Sequence, residues 1–406
     1  MPPEAHSKIV GGSTAARRIA CPGSLSLERH APEGESSVHA LEGTMLHEVM
    51  EELVTGWTAA LGDNLPGLVG RRFGDQQLTE ELARTRIEPA LAALRELNTR
   101  AGGLDAVAET RVEVMDGFGS GESVFGTIDI LARGGDGKLY VVDFKFGAGI
   151  QVYPEESAQL GFYTGAAFDT PDEDVDEIIG ADIPPIVFVI IQPTKEPHLR
   201  VWETDFQWVD SFMGKLERAV TEGLSDNPSF SPSVEACRWC KGRPSCTAYA
   251  DQGRATMDAV VKSGSALEDM GRDQLGELLT RIPQVEQQIK VIRQYALDEL
   301  SNGNSIPGWG VKQKRGMRVY TDANLAETRL RRKLGVKGAF NRKLISPAQS
   351  EKKVNKKWWT RNIAPLVETR IPPGLNLVQI ENGGEPVRDG LAELKAAQKA
   401  LKGVQK

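Results

Sequence analysis

Apolar residues recur at helical spacing from Glu42 to Thr58, where Leu46, Val49, Met50 and Leu53 share one face. A second such pattern runs from Thr79 to Thr99. The period then changes to two. Strand-like runs span Ala108–Val114, Ser123–Leu131 and Lys138–Phe144, the last two joined by Arg133-Gly-Gly-Asp-Gly, a hairpin signal. Helical spacing returns over Glu155–Phe168. Strands follow at Pro185–Gln192 and Leu199–Thr204, around a Pro-Thr-Lys-Glu-Pro turn, and then a helix at Phe206–Gly223. Near the start, Ser13 is placed to cap a short helix, Thr14–Ala20, that stops at Cys21-Pro22. Helices, a β-meander, a helix and further strands predict an α/β or α+β core.

Beyond residue 250 the character shifts. Leu267–Asn302 reads as two helices with Pro283 near their boundary or at a kink, residues 303–385 as short strands and turns, and Asp389–Gly403 as a last helix. The 406-residue chain carries a formal charge of −7, unevenly spread. Between Lys312 and Arg361 there are 16 Lys and Arg against three acids, a local +13 that leaves −20 for the rest. A basic block on an acidic protein predicts an anionic partner, with nucleic acid favoured over a merely solvated surface. Trp309, Tyr320, Phe340, Trp358 and Trp359 are interleaved with the charges and are placed to stack on bases. No run of 18 apolar residues occurs, so no membrane span is expected. The first residues lack the basic flank and apolar stretch of a secretory signal, so a cytoplasmic location is expected.

The meander carries the sharpest chemistry. Gly126-Thr127-Ile128-Asp129 closes one strand and Asp143-Phe144-Lys145 the next. Antiparallel pairing across the hairpin would bring Asp129 and Asp143 side by side. Alternation puts Asp143 and Lys145 on one face and Phe144 on the other. Two adjacent carboxylates repel, and such pairs commonly hold a divalent cation; oxygen ligands suit Mg²⁺ or Mn²⁺ and phosphodiester chemistry. Lys145 could orient an attacking water or stabilise developing charge. An acid-x-Lys strand end also occurs by chance on exposed surfaces. His47, in Gly43-Thr44-Met45-Leu46-His47, could be a further ligand or a plain helical histidine. His47-Glu48 does not make a metalloprotease motif, because position 51 is Glu where a second His is required. Gln159 and Tyr163 share a helix face at i, i+4 and could hold a DNA backbone or position Lys145, or simply pack.

Cys21 stands alone, and Cys237, Cys240 and Cys246 form a C-x2-C-x5-C group. If the fold brings Cys21 back, the four would clasp one metal centre. Three close ligands and one remote is unusual for structural zinc, and four thiolates also suit an iron–sulfur cluster.

Taken together these segments resemble the RecB-like branch of the PD-(D/E)XK nucleases, including AddB-like proteins and the CRISPR-adaptation exonucleases. That branch is marked, in order, by Gly-Thr-x-x-His, Gly-x-x-Asp, acid-x-Lys and Gln-x-x-x-Tyr. Gly43/Thr44/His47, Gly126/Asp129, Asp143/Lys145 and Gln159/Tyr163 match it over roughly residues 10–250. Asp143 departs from the commoner Glu. The resemblance implies a restriction-endonuclease-like core, a mixed central sheet flanked by helices, in residues 1–250. A helical connector at 251–302 and a basic C-terminal domain at 303–406 would follow.

The resemblance also implies that Asp129, Asp143 and His47 bind metal, with Lys145 catalytic and Gln159 and Tyr163 in its support. Glu109 would be an accessory acid or a surface residue. Cys21, Cys237, Cys240 and Cys246 would hold a 4Fe–4S cluster, with Zn²⁺ as the alternative. Ser13, Arg17 and Arg18 could reach DNA phosphate beside it, or form a solvated helix face. The implied activity is that of a Mg²⁺- or Mn²⁺-dependent deoxyribonuclease, an exonuclease of a phage-associated subgroup acting in recombination or replication. DNA, single- or double-stranded, is the implied partner, with a phage recombination or single-strand-binding protein as a further one. The alternative is a catalytically inactive nucleic-acid-binding or assembly protein on the same fold.

Overall fold

A computed structural model describes residues 7–31, 38–54, 62–147, 149–262, 271–313, 317–339, 345–370 and 375–379. The expected helix at Asp389–Gly403, and Phe340 with it, lie outside the described residues. The chain divides into two compact units, Met1–Gln287 and Gln288–Lys406.

The first unit is built on a five-stranded sheet of β1 (Leu104–Val114), β2 (Val124–Gly134), β3 (Leu139–Phe144), β4 (Ile186–Ile191) and β5 (Leu199–Thr204), in that spatial order. β1–β2, β2–β3 and β4–β5 are antiparallel, and β3–β4 is parallel. This is the mixed sheet the sequence predicts. β3 and β4 are apolar at nearly every position because both of their faces are covered.

One face packs on α3 (Val38–Val54) and α4 (Glu88–Arg100). Their Leu46, Met50, Leu91 and Leu94 meet Tyr140, Val142, Val187 and Val189 of the sheet. The helical pattern from Thr79 is realised with Thr79 as the N-cap, accepting from Leu82 N–H, and a π turn at Ala83–Ile87 leading into α4. The other face packs on α1 (Gly12–Ala20), α5 (Ala158–Asp169) and α7 (Phe206–Gly223), with α6 (Glu173–Ile179) beside them. α2 (Ser24–Glu28) follows α1. Helices on both faces of a mixed sheet make this a three-layer α/β unit.

Several local expectations are corrected. The N-cap of α1 is Gly11, not Ser13: Thr14 Oγ1 accepts from Gly11 N–H at 3.0 Å, so the helix starts earlier. α5 begins at Ala158, not Glu155, because Glu156 has φ +51° and Ser157 caps the helix. Arg272–Ser301 is one helix with Pro283 inside it, not two. A proline forfeits one hydrogen bond and crowds the preceding turn, at ~3 kcal/mol. The turns on either side of Pro283 keep the helix whole.

In the second unit, Met317–Tyr320 pairs with Val367–Arg370, and Trp309–Gln313 with Leu375–Gln379, both antiparallel. Leu330, Ala339, Ile345, Trp359 and Ile363 form a small core. Trp359 is therefore a core residue, not the base-stacking surface expected of it. Its indole N–H donates to Ser350 Oγ at 3.1 Å, and Trp358 packs against the same core. Lys352, Lys353, Lys356 and Lys357 are exposed.

Candidate active site and cysteine cavity

Along β1 and β2 the alternation of side chains inverts at one rung. Ala106 and Ala108 face the α3/α4 core, whereas Val112 and Val114 face the other; Ile130 and Ile128 switch in the same way. The register runs Ala108↔Ile130 and Thr110↔Ile128, with Glu109 and Asp129 unpaired between them. The cause is Glu109, whose φ of +48° is a left-handed conformation that costs a non-glycine residue energy and is enriched at functional positions. At that rung the two faces meet. His47 from α3 and Gln159 from α5 reach it from opposite sides.

The β2–β3 register pairs Ile130 with Val142. One step further sets Asp129 opposite Asp143, as the hairpin predicts. There the ladder gives way to a side chain: Asp129 Oδ2 accepts from Phe144 N–H at 2.6 Å. Asp129 Oδ1 faces His47 Nδ1 at 3.4 Å, and the His47 ring stands edge-on to Phe146. His47, Glu109 and Asp129 each offer a ligand atom, all within 4.8 Å of one another.

Gln159 ties the other half together. Its Nε2 donates to Asp143 Oδ1 at 2.8 Å and to Tyr163 Oη at 3.0 Å, and its Oε1 accepts from Lys145 Nζ at 2.8 Å. Lys145 Nζ also lies 2.6 Å from Asp143 Oδ2, so an ammonium faces this buried oxygen. Tyr163 is wedged between two glycines. A Cβ at Gly12 would sit 2.7 Å from its ring, and one at Gly126 would sit 2.8 Å away. That contact accounts for glycine three residues before Asp129. Gly43 meets no such contact, and Thr44 Oγ1 donates to Ala40 O at 3.2 Å.

The electrostatics are those of acids crowded together out of water. Burial, followed by the charge of Asp129, pushes the Glu109 carboxyl up to about 8. Burial also raises Asp143, against the pull of Lys145. Burial alone would lower His47, but its hydrogen bond to Asp129 and the charges of Asp129, Asp143 and Glu109 outweigh this and raise it. Tyr163 is raised by burial and by Asp143. A divalent cation would relieve this repulsion. The donor set of His47, Glu109 and Asp129, with Asp143 beside it, fits one. All six residues expected at this site, His47, Asp129, Asp143, Lys145, Gln159 and Tyr163, converge here. Glu109 joins them through a backbone twist that no sequence pattern signals.

The four cysteines also converge. Cys21 caps the C-terminal end of α1. Cys237 lies in α8 (Val234–Arg238), Cys240 just beyond it, and Cys246 immediately before α9 (Thr247–Lys262). All four line one cavity with Ser24, Arg243 and Tyr249. Ser231 N–H points at Cys21 Sγ and Tyr249 N–H at Cys246 Sγ, each at 3.4 Å, the kind of contact that steadies a metal-bound thiolate. Tyr249 Oη is buried with no partner. Among the described residues, no three of the sulfurs approach within 4.8 Å of one another. Tetrahedral zinc, with Zn–S near 2.3 Å, holds its sulfurs roughly 3.8 Å apart. Burial raises Cys237, and raises Cys240 to about 11.

Arg17 and Arg18 do not form a phosphate-facing surface. Arg18 is buried, donating to Ile9 O at 2.9 Å and to Glu28 Oε2 at 2.6 Å. Arg17 donates to the same Glu28 oxygen at 3.2 Å, and Glu28 Oε1 accepts from Lys241 N–H at 2.7 Å. The three charges brace α1 and α2 against the loop that carries Cys240.

The family model DUF2800, described as a protein of unknown function, matches residues 6–381. No curated protein matches the chain. Among solved structures, a candidate exonuclease from Eubacterium rectale is 12% identical. It covers 56% of this chain and 86% of its own, with a TM-score of 0.32. A protein named SSO0001 is 17% identical, covering 58% and 84%, with a TM-score of 0.26.

Proposed function

The chain belongs to the DUF2800 family, and for it we propose metal-dependent hydrolysis of phosphodiester bonds in DNA, by an exonuclease whose nuclease domain is clasped by a 4Fe–4S cluster. The observation that carries the reading is the single constellation at the Glu109/Asp129 rung. Buried acids and an imidazole converge there, beside a lysine that a glutamine holds against one of those acids.

Asp129, Asp143, Glu109 and His47 would hold Mg²⁺ or Mn²⁺. When bound, such an ion supplies Lewis-acid stabilisation and a water acidic enough to attack phosphorus. The chain's own residues do the rest. Phase and distance are set by Phe144 N–H, which fixes Asp129 Oδ2 and turns Oδ1 toward His47. Gln159 fixes Asp143 Oδ1 and leaves Oδ2 facing the lysine. Lys145, steered by Gln159 Oε1, places its ammonium where it can orient the attacking water or neutralise charge gathering on the phosphoryl oxygens. Lys145, which can only donate, keeps the Gln159 amide from flipping by holding Oε1, and Tyr163 Oη accepts from Nε2.

Cys21, Cys237, Cys240 and Cys246 would hold the cluster. The cavity they share supports a common metal centre, and the resemblance favours the cluster over Zn²⁺. Its role would be structural, joining the N-terminal helix to the segment after α7. A phage recombination or replication setting follows from the resemblance alone, as does the assignment of residues 1–250 to the nuclease domain; the basic block would contact DNA by virtue of its local charge of +13.

Anaerobically purified protein, incubated with end-labelled single- and double-stranded DNA, should be brown and should shorten the label progressively with Mg²⁺ or Mn²⁺. EDTA should stop it. A colourless, zinc-loaded protein would overturn the cluster, and DNA left intact under every metal condition would overturn the nuclease.

A further inference from the structure

The loop from Lys145 to Ser157 joins β3 to α5. With Gly147 and Gly149 in it and solvent above it, such a loop is expected to be loose. Instead its backbone is pinned from beneath. Gln192 is buried and spends both ends of its amide on the loop. Nε2 donates to Gly147 O at 3.3 Å and Ile150 O at 2.8 Å, and Oε1 accepts from Val152 N–H at 3.1 Å. Arg200, also buried, donates to Val152 O at 3.1 Å and to Gln192 Oε1 at 3.2 Å. Thr194 Oγ1 adds a bond to Gly147 O at 2.8 Å.

This foundation displays two apolar side chains. Ile150 is 57% exposed and Tyr153 58%, with the Tyr153 ring 5.8 Å from the Arg200 guanidinium. Their loop is anchored beside the proposed reaction centre. Lys145 N–H donates to the carbonyl oxygen of Ile191, the last residue of the neighbouring strand, and Gln192 follows it directly, with strands spaced ~4.8 Å apart. The loop thus crosses the C-terminal ends of the parallel pair β3 and β4, the end at which α/β sheets bind ligands.

We propose that Ile150 and Tyr153 form a stacking platform for unpaired bases of the DNA strand whose phosphate lies at Asp129 and Asp143. The substrate would then be a single strand, or an end whose bases have come apart, not a continuous duplex. This rests on the nuclease reading. A flat ring and a branched aliphatic side chain suit the faces of bases, which a duplex hides in its own stack. The occupant is set by continuity: a strand held by its phosphate at the site has its bases within a few nucleotides of the loop. The patch is two residues wide, too small for a protein interface. Because Gln192 and Arg200 already hold the backbone at Gly147, Ile150 and Val152, the ordering left to binding is chiefly that of the two side chains.

The test walks a single abasic residue along a 5′-labelled single strand, cleaved with Mn²⁺ by wild type, Tyr153→Ala and Tyr153→Phe. At one position near the cut bond, wild type should lose roughly 5- to 150-fold in cleavage, the equivalent of ~1–3 kcal/mol per stacked base. Tyr153→Ala should be slower on the intact strand by a similar factor and indifferent to the missing base. Tyr153→Phe should behave as wild type. A wild type that cuts DNA but ignores abasic residues at every position refutes the platform and leaves the nuclease standing. Retention of the full abasic penalty by Tyr153→Ala refutes the platform in the same way. If wild type cuts no DNA at all, the nuclease reading fails and takes the platform with it.

Discussion

Gln159→Ala removes one side chain and three bonds: to Lys145 Nζ at 2.8 Å, to Asp143 Oδ1 at 2.8 Å and to Tyr163 Oη at 3.0 Å. Two of the three partners are charged, and hydrogen bonds to charged groups contribute ~1.5–3 kcal/mol each. Only the bond to Lys145 bears on the rate directly, through the placement of its ammonium. Losing ~1.5–3 kcal/mol of transition-state stabilisation lowers the rate roughly 10- to 150-fold. The bond to Asp143 bears on stability. Its loss takes away the donor to Asp143 Oδ1, at ~1–3 kcal/mol, and a bound cation should recover part of that. The assay is single-turnover cleavage of end-labelled DNA in Mn²⁺. DNA binding is followed by fluorescence anisotropy, and thermal melting is measured in EDTA and in Mn²⁺. The expected pattern is slow cleavage, unchanged binding and a melting deficit that shrinks on adding Mn²⁺. A variant that cleaves within twofold of wild type, while Lys145→Ala is inactive, would refute the positioning role of Gln159.

Other parts of the molecule yield three further predictions. Glu109, raised to about 8, takes up a proton on folding, so the metal-free protein loses stability as pH climbs from the unfolded carboxyl range toward 8. His47, also raised, acts in the same direction, stabilising most below its unfolded value and less as pH rises through its folded one. Calorimetry in EDTA should show Glu109→Gln with a flatter decline than wild type, and parallel curves would contradict the assignment. Cys21→Ala should cost as much bound metal and thermal stability as Cys240→Ala, because both line one cavity; a fully loaded, fully stable Cys21 variant would remove that residue from the ligand set. Trp359→Ala should destabilise the second unit by ~3–5 kcal/mol without changing DNA affinity, whereas reversing the charges of Lys352, Lys353, Lys356 and Lys357 should weaken DNA binding and flatten its salt dependence.

What is legible in the sequence depends on how local the cause is. The two-residue period and a five-residue turn are enough to place Asp129 opposite Asp143, and both are short-range. Helical spacing likewise puts Gln159 and Tyr163 on one face, though only packing reveals that Gly12 and Gly126 hold the tyrosine ring between them. Glu109 is ambiguous between accessory acid and surface strand. What decides it is a left-handed φ, which no side-chain pattern announces. Arg17 and Arg18 look phosphate-facing in sequence because their partner, Glu28, sits eleven and ten residues away across a turn and neutralises them only in the fold. Trp359 looks surface-bound because a short helix dense in lysine appears solvated until the core beneath it is seen. Gln192 and Arg200 carry no signal: each reads as a polar residue at a strand end, and their hydrogen bonds go to a loop some 40 residues earlier.

The acids at the Glu109/Asp129 rung are proposed to hold a metal ion that cuts phosphodiester bonds. The most direct test is Asp143→Asn, which keeps the side chain's size and removes its charge. Wild type and variant are compared in single-turnover digestion of end-labelled DNA with Mn²⁺, with binding measured in parallel. Wild type should cleave in a way that EDTA abolishes, and the variant should bind DNA but leave it intact. Equal cleavage by the two proteins, or wild-type cleavage undiminished in EDTA, would contradict the metal-centred mechanism.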